Sequence, residues 1–246
     1  MSEFKKEYIL VGGSHGISEE LVLELLKNPE NHVHCFCREK PSTTHESLSW
    51  KQFDVTKQKE KTNVFKERLC EPQNLAGFCY FPGSISLKPF SSFKEADFLT
   101  AFQINLLGAH YCLQEVVPLL KKSEIGFAPG VLLFSTVAVQ TGMPFHSLVA
   151  SAKGALEAYG RSLAAELAPR VRVNIIAPSL TQTPLAKENV MKSDALAQSI
   201  AEKHPMKRLG SARELAQTAH FLLSERSAWV TGQVLHVDGG MSCLKV

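Results

Sequence analysis

Residues 7–27, EYILVGGSHGISEELVLELLK, decide the fold. Residues 7–11 form an apolar run of strand length, and Gly12, Gly13 and Gly16 then turn the chain. From Ile17 onward the apolar positions recur at helical spacing. A strand that runs through glycines into a helix leaves free backbone N–H groups and the positive end of the helix dipole at the turn. That combination suits a pyrophosphate. Gly12, Ser14, His15, Gly16 and Ile17 are therefore candidate nucleotide-binding residues.

Outward from this unit the same alternation repeats. Further strands are expected at 32–37, 48–53, 75–81, 130–135, 171–177 and 233–237. Helical patterns lie between them at about 17–27, 59–70, 95–121, 147–168 and 211–224. Strands alternating with helices imply βαβ units, hence one doubly wound α/β domain with a parallel seven-stranded sheet of the Rossmann type. No repeat, low-complexity tract or Gly/Pro/Ser-rich linker divides residues 1–246. Residues 182–206 break the alternation. An insertion at the carboxyl end of a strand is a candidate substrate lid, with an ordinary surface loop as the alternative.

The composition excludes several classes. Hydrophobic residues make up 44% and charged residues 21%, as in an ordinary globular protein. A net charge of +3 without a basic run gives no electrostatic case for nucleic acid. No apolar stretch approaches the roughly 20 residues of a membrane span, and the N-terminus does not read as a signal peptide. The six cysteines (35, 37, 70, 79, 112, 243) show no C-x-x-C pair or metal spacing. They read as free thiols in a reducing cytoplasm, with no metal expected.

The segment 134–156, FSTVAVQTGMPFHSLVASAKGAL, resembles the catalytic stretch of the short-chain dehydrogenase/reductase family, and in particular its 3-oxoacyl-ACP-reductase-like members. That family carries a serine, a tyrosine and, four residues on, a lysine. Here Lys153 matches the lysine, but Val149 stands at the tyrosine position and Thr136 at the serine position. The resemblance implies that Lys153 holds the nicotinamide ribose and lowers the pKa of a neighbouring acid. It implies that Asn105, in I-N-L-L-G, belongs to a water link between the lysine and solvent. Pro178, Leu180, Thr181 and Thr183 match the loop that contacts the nicotinamide amide and the pyrophosphate. Asp54 and Val55 match an adenine-contacting pair, although Asp54 or Thr56 also suits a helix cap. Gly83 is the one match in F-P-G to a family N-A-G, and Ser18 replaces a glycine, which implies looser packing at the turn. The tail, residues 229–240 (WVTGQVLHVDGG), is the closest match and a signature of fold and subunit contact.

The second strand ends at Arg38, with no acid at its tip, and His15 lies in the glycine turn. Both can pair with a 2′-phosphate, so NADP(H) is preferred over NAD(H), with Glu39 as the opposing feature. For the missing tyrosine, three readings stay open. His146, seven residues before Lys153, replaces it as proton donor, with Thr136 polarising the substrate oxygen. Alternatively the reaction is reduction of a conjugated C=C, whose enolate needs oxyanion stabilisation more than protonation. Otherwise the chain binds NADP(H) but is catalytically silent. Tyr159 lies about 240° around the helix from Lys153, in the apolar stripe, and is assigned to packing. The partners expected are a small-molecule substrate and, by the resemblance, a second copy in a homodimer or homotetramer.

Overall fold

The computed structural model describes residues 6–57, 63–191 and 193–245. Strand β1 (Lys6–Val11) leads through the glycine turn into α1 (Ile17–Leu26), followed by β2 (Asn31–Cys37), β3 (Leu48–Gln52) and β4 (Leu75–Tyr80). Next come α2 (Glu95–Phe102), α3 (Gly108–Leu120), β5 (Gly130–Phe134), α4 (Ser147–Leu167) and β6 (Arg172–Pro178). The short strand β7 (Thr181–Gln182), α5 (Pro184–Asn189) and α6 (Asp194–Lys203) precede β8 (Gly210–Ser211), α7 (Ala212–Leu223) and β9 (Val234–Val237).

Seven strands pair in parallel in the order β3-β2-β1-β4-β5-β6-β9. The winding direction reverses between β1 and β4, which opens a crevice beyond their carboxyl ends, the usual ligand position in such sheets. Alternate residues of each strand enter opposite cores. Ile9, Val11, Phe78 and Leu133 pack beneath α3 and α4, while Tyr8, Leu10, Cys79 and Leu132 pack against α1 and α7. Burial on both faces explains why the strands read as continuous apolar runs.

The helix expected at 59–70 is not formed over its described part, where only a 3₁₀ turn at Lys66–Arg68 appears; residues 58–62 lie outside the described residues. Asp54 takes the N–H and hydroxyl of Thr56 at the 3₁₀ turn Val55–Lys57. The long helix expected at 95–121 is interrupted by a π turn at Gln103–Leu107. Tyr80 causes part of this, because its hydroxyl donates to Ile104 O at 2.6 Å and takes that carbonyl for itself. A side chain at Gly108 would collide with the same hydroxyl, so glycine there lets the helix approach β4. The irregular stretch 182–206 carries α5 and α6, whose N-termini are capped by the Thr183 and Ser193 hydroxyls. Its start is tied down by β7, which pairs in parallel with β8.

Candidate active site

At the head of the crevice, Gly12 and Gly16 have φ of +87° and +66°, the left-handed region that glycine enters without steric cost. A side chain at Gly12 would meet Pro82 at 3.1 Å and Phe81 at 3.2 Å, so the turn and the end of β4 are in direct contact. The aromatic and proline replacements therefore fill the sheet end: Phe81 stacks on Phe134 with ring centroids 4.7 Å apart. Helix α1 has no side-chain cap at its N-terminus, so its first N–H groups remain available to a phosphate. Ile17 and Ser14 lie at this end. Thr183 closes the other side, with its side chain 3.4 Å from where a Cβ at Gly16 would stand. The Thr183 hydroxyl accepts from Ala186 N at 3.2 Å and keeps its own proton to donate.

Ser18 corrects an expectation. Its hydroxyl lies 2.7 Å from Gly12 O and 2.8 Å from His15 O, so the serine braces the turn it was expected to loosen. A glycine could not supply that bond.

At the adenosine end, Arg38 is exposed at the tip of β2, and His15 Nε2 lies 3.0 Å from Glu39 Oε2. The His15 contact holds the Glu39 carboxyl below its ordinary range. His15 thus pairs with an acid while remaining exposed. The Asp54 carboxyl, its pKa lowered by its bonds to Thr56, accepts them at Oδ1, and Val55 is buried.

Lys153 is buried on α4 and donates from Nζ to Phe134 O at 2.7 Å. Desolvation pulls its pKa down to about 8. A methyl at Gly83 would lie 3.2 Å from both Lys153 Nζ and Asn105 Oδ1, so only glycine leaves the gap between them open. Asn105 sits in the π turn, donates to Ala101 O at 2.8 Å, and keeps a buried Oδ1 without a hydrogen-bond partner. A buried orphan acceptor beside a buried ammonium is a polar gap suited to a small donor.

The remaining candidates are more dispersed. Val149 is buried, one turn before Lys153. The Thr136 hydroxyl accepts from Ala138 N at 3.3 Å and caps a 3₁₀ turn, yet it retains a proton and stays partly accessible. The neighbouring Ser135 hydroxyl donates to Glu157 Oε1 at 2.6 Å. His146 is the N-cap of α4, and its Nδ1 lies 2.7 Å from Pro144 O. A carbonyl only accepts, so Nδ1 carries the proton and neutral His146 presents an acceptor at Nε2, not a donor. His146 borders a cavity of about 430 Å³ whose wall includes Pro89, Phe90, Ala138, Met143 and Phe145, but not Val149 or Lys153. Tyr159 packs against the core beneath α3 and α4 and bonds His110 at 3.2 Å, in line with its packing assignment.

The loop after β6 holds Pro178, Leu180 and Thr181. The Thr181 hydroxyl folds back onto Ser179 O at 3.0 Å. Sequence reasoning missed the tie between Ser179 and His204. Ser179 Oγ meets His204 Nε2 at 2.8 Å, and His204 Nδ1 lies 2.9 Å from Ile200 O. This bond fastens the end of the 182–206 insertion to the loop, beside a cavity of about 160 Å³. No local pattern in the sequence announces it, because the two residues lie 25 apart.

The chain matches a family model described as enoyl-(acyl carrier protein) reductase over residues 27–242. It is 32% identical to a tropinone reductase homolog of Arabidopsis thaliana over 253 residues, 95% of this chain and 89% of that protein. It is 25% identical over 246 residues to the 3-oxoacyl-acyl-carrier-protein reductase FabG of Staphylococcus epidermidis, 96% and 98% of the two chains. Among solved structures, ElxO with NADP bound superposes with a TM-score of 0.85 at 27% identity, over 96% of this chain and 98% of that one. A short-chain dehydrogenase family protein of Francisella tularensis has the same fold, with a TM-score of 0.87, 24% identity and coverage of 97% and 99%. With the sheet order, the glycine turn and the buried lysine, these similarities place the chain in the short-chain dehydrogenase/reductase family of oxidoreductases.

Proposed function

We propose that the chain is an NADP(H)-dependent oxidoreductase acting on a carbonyl or a conjugated enoyl compound. The observation that carries this reading is the buried Lys153 ammonium set against the open gap at Gly83 and the orphan Oδ1 of Asn105. Maintaining a desolvated cation is costly, and a fold needing only packing there would gain from an apolar residue.

Bound NADPH would supply a hydride to the substrate carbon. The residues that would hold it are Gly12, Ser14, His15, Gly16 and Ile17 at the pyrophosphate, Thr183 across from them, and Lys153 at the nicotinamide ribose. Arg38 supports the phosphorylated cofactor, as does similarity to a protein solved with NADP bound. Lys153 keeps positive charge near the oxygen that becomes negative, and Thr136 can donate its hydroxyl proton to it. His146 can donate only after its Nε2 is protonated. An enolate, which needs stabilisation before protonation, therefore suits this residue set better than an alkoxide. The cavity of about 430 Å³ beside His146 is the proposed substrate pocket, and residues 182–206, at the carboxyl end of β6, are the proposed lid of the crevice. Trp229 is fully exposed and Leu235 and Leu244 are also exposed, which supports the C-terminal edge as a subunit contact in a dimer or tetramer. The free cysteines fit a reducing, cytoplasmic setting.

A second reading, a catalytically silent NADP(H)-binding protein, draws on Val149 and on the committed Nδ1 proton of His146. Fluorescence titration with NADPH and NADH, followed by oxidation assays on paired ketone and enoyl substrates, separates the two. Turnover of either substrate supports the enzyme; tight NADPH binding with no turnover on the whole panel supports the silent binder. Failure to bind either nucleotide would sink both.

A further inference from the structure

We propose a zinc-binding site at the amino-terminal end of the sheet, formed by His32 and His34 of β2, Cys70 and Glu7 of β1. One ligand atom each from His32, His34 and Cys70 lie within 4.8 Å of one another. Glu7 joins them, with Oε2 2.6 Å from His34 Nε2.

The topology explains the convergence. His32 and His34 are two apart on one strand and so project to the same face, and Glu7 is the register partner of His32 on β1. The irregular chain before β4 brings Cys70 over them: its N–H and that of Glu71 donate to the Glu7 carboxylate at 2.9 and 2.5 Å. This lies at the opposite end of the strands from the glycine turn and Lys153, so nothing in the proposed hydride chemistry uses it. Further up the same face of β1 and β2 stand Ile9, Val11 and Phe36, so four polar ligands are grouped where the rest of the strand face is apolar. Glu7, His32 and His34 are buried.

The donor set selects the ion. Two imidazoles, one thiolate and one carboxylate suit the tetrahedral, borderline-soft preference of zinc and are unsuited to magnesium or calcium. One thiolate and one carboxylate also balance the charge of a divalent cation, which matters in a site this buried. Binding displaces the Cys70 thiol proton, while the proton between His34 Nε2 and Glu7 moves to His34 Nδ1 and frees Nε2 for the ion. His34 Nδ1 then donates to Ser49 Oγ, now 2.7 Å away, which fixes the ring and its tautomer as outer-shell partners of metal-bound histidines do. Cys70 is exposed and provides both the entry path and the ligand that closes on the ion. The four ligands come from three separate segments, so no sequence spacing announces them.

Titrating the full-length, chelator-stripped protein with Zn²⁺ against a chromogenic chelator should show one saturable equivalent. Co²⁺ should bind with a thiolate-to-cobalt charge-transfer band and tetrahedral d–d absorption. Cys70→Ser, at an exposed position that tolerates the change, should remove the charge-transfer band and weaken zinc binding by more than the ~10–100-fold typical of losing an outer-shell partner. His32→Gln should weaken it comparably while the circular dichroism spectrum stays unchanged. Absence of a saturable equivalent in the parent chain overturns the proposal. So does a site whose affinity and cobalt spectrum are the same in Cys70→Ser.

Discussion

Val149 is a buried apolar side chain one helical turn from a lysine that has kept its place. Val149→Tyr should therefore restore a proton donor beside Lys153 and raise ketone reduction by about 10²–10⁴, the usual worth of a positioned general acid. Steady-state rates with a ketone panel check this. A variant that binds NADPH and ketone without turning over shows that the surroundings have diverged beyond one residue. His146 poses the complementary question. Its Nδ1 proton is committed to Pro144 O, so it can give a proton only from a protonated Nε2. Turnover that depends on it should vanish in His146→Phe, with NADPH affinity retained. Unchanged turnover in that variant removes His146 from the reaction. Gly83→Ala tests the gap directly: its new methyl would stand 3.2 Å from Lys153 Nζ and Asn105 Oδ1. The expected outcome is loss of turnover with little change in thermal stability, measured side by side. Normal turnover would mean the gap has no part in the chemistry.

At the scale of an element, the glycine turn shows how much a motif can lose and still hold its shape. Ser18 supplies by hydrogen bonding what the family glycine supplies by smallness. Ser18→Ala should cost about 1 kcal/mol in denaturant unfolding, the net worth of one such bond. It should also weaken NADPH binding by releasing the Gly12 and His15 carbonyls. Ser18→Ala binding nucleotide as tightly as the parent would show that the brace is incidental. The turn's position, the seven strands and the lysine helix were legible in the sequence because each carries a periodic or glycine signal that local physics enforces. The π turn was not, since it arises from the Tyr80 hydroxyl capturing Ile104 O, a contact between residues 24 apart. Nor was the bond that ties the Ser135 hydroxyl to Glu157, 22 residues on. The same limit hid the Ser179–His204 tie and the ligand cluster around Glu7. Periodicity reports which face a residue takes, not which distant side chain meets it there.

For the whole molecule, burial of Lys153 must appear in the dependence of stability on pH. In the unfolded chain the lysine titrates near its ordinary 10.5, whereas in the fold desolvation lowers it to about 8. Below pH 8 both states are protonated and the fold carries the full cost of the buried ammonium. Between 8 and 10.5 the unfolded chain binds more protons than the folded one, so this group's contribution makes stability rise with pH. The rise is about 1.4 kcal/mol per pH unit across the window, or roughly 3 kcal/mol in all. Other groups act the opposite way. Burial raises the thiols of Cys35, Cys79 and Cys112, and pushes Tyr8 and Tyr159 up to about 12, so the unfolded chain loses those protons first. Their effect lowers stability above pH 9 and masks the lysine in the parent protein alone. The comparison that isolates it is the cofactor-free parent against Lys153→Met, unfolded by denaturant at half-unit steps from pH 7.5 to 9.5. Thiol and phenol contributions are common to both proteins and cancel. The parent should be the less stable of the pair at pH 7.5, with the gap closing steadily as pH rises. A difference that stays flat across the window would mean that Lys153 remains fully charged in the fold, and that its burial is relieved by solvent the site admits.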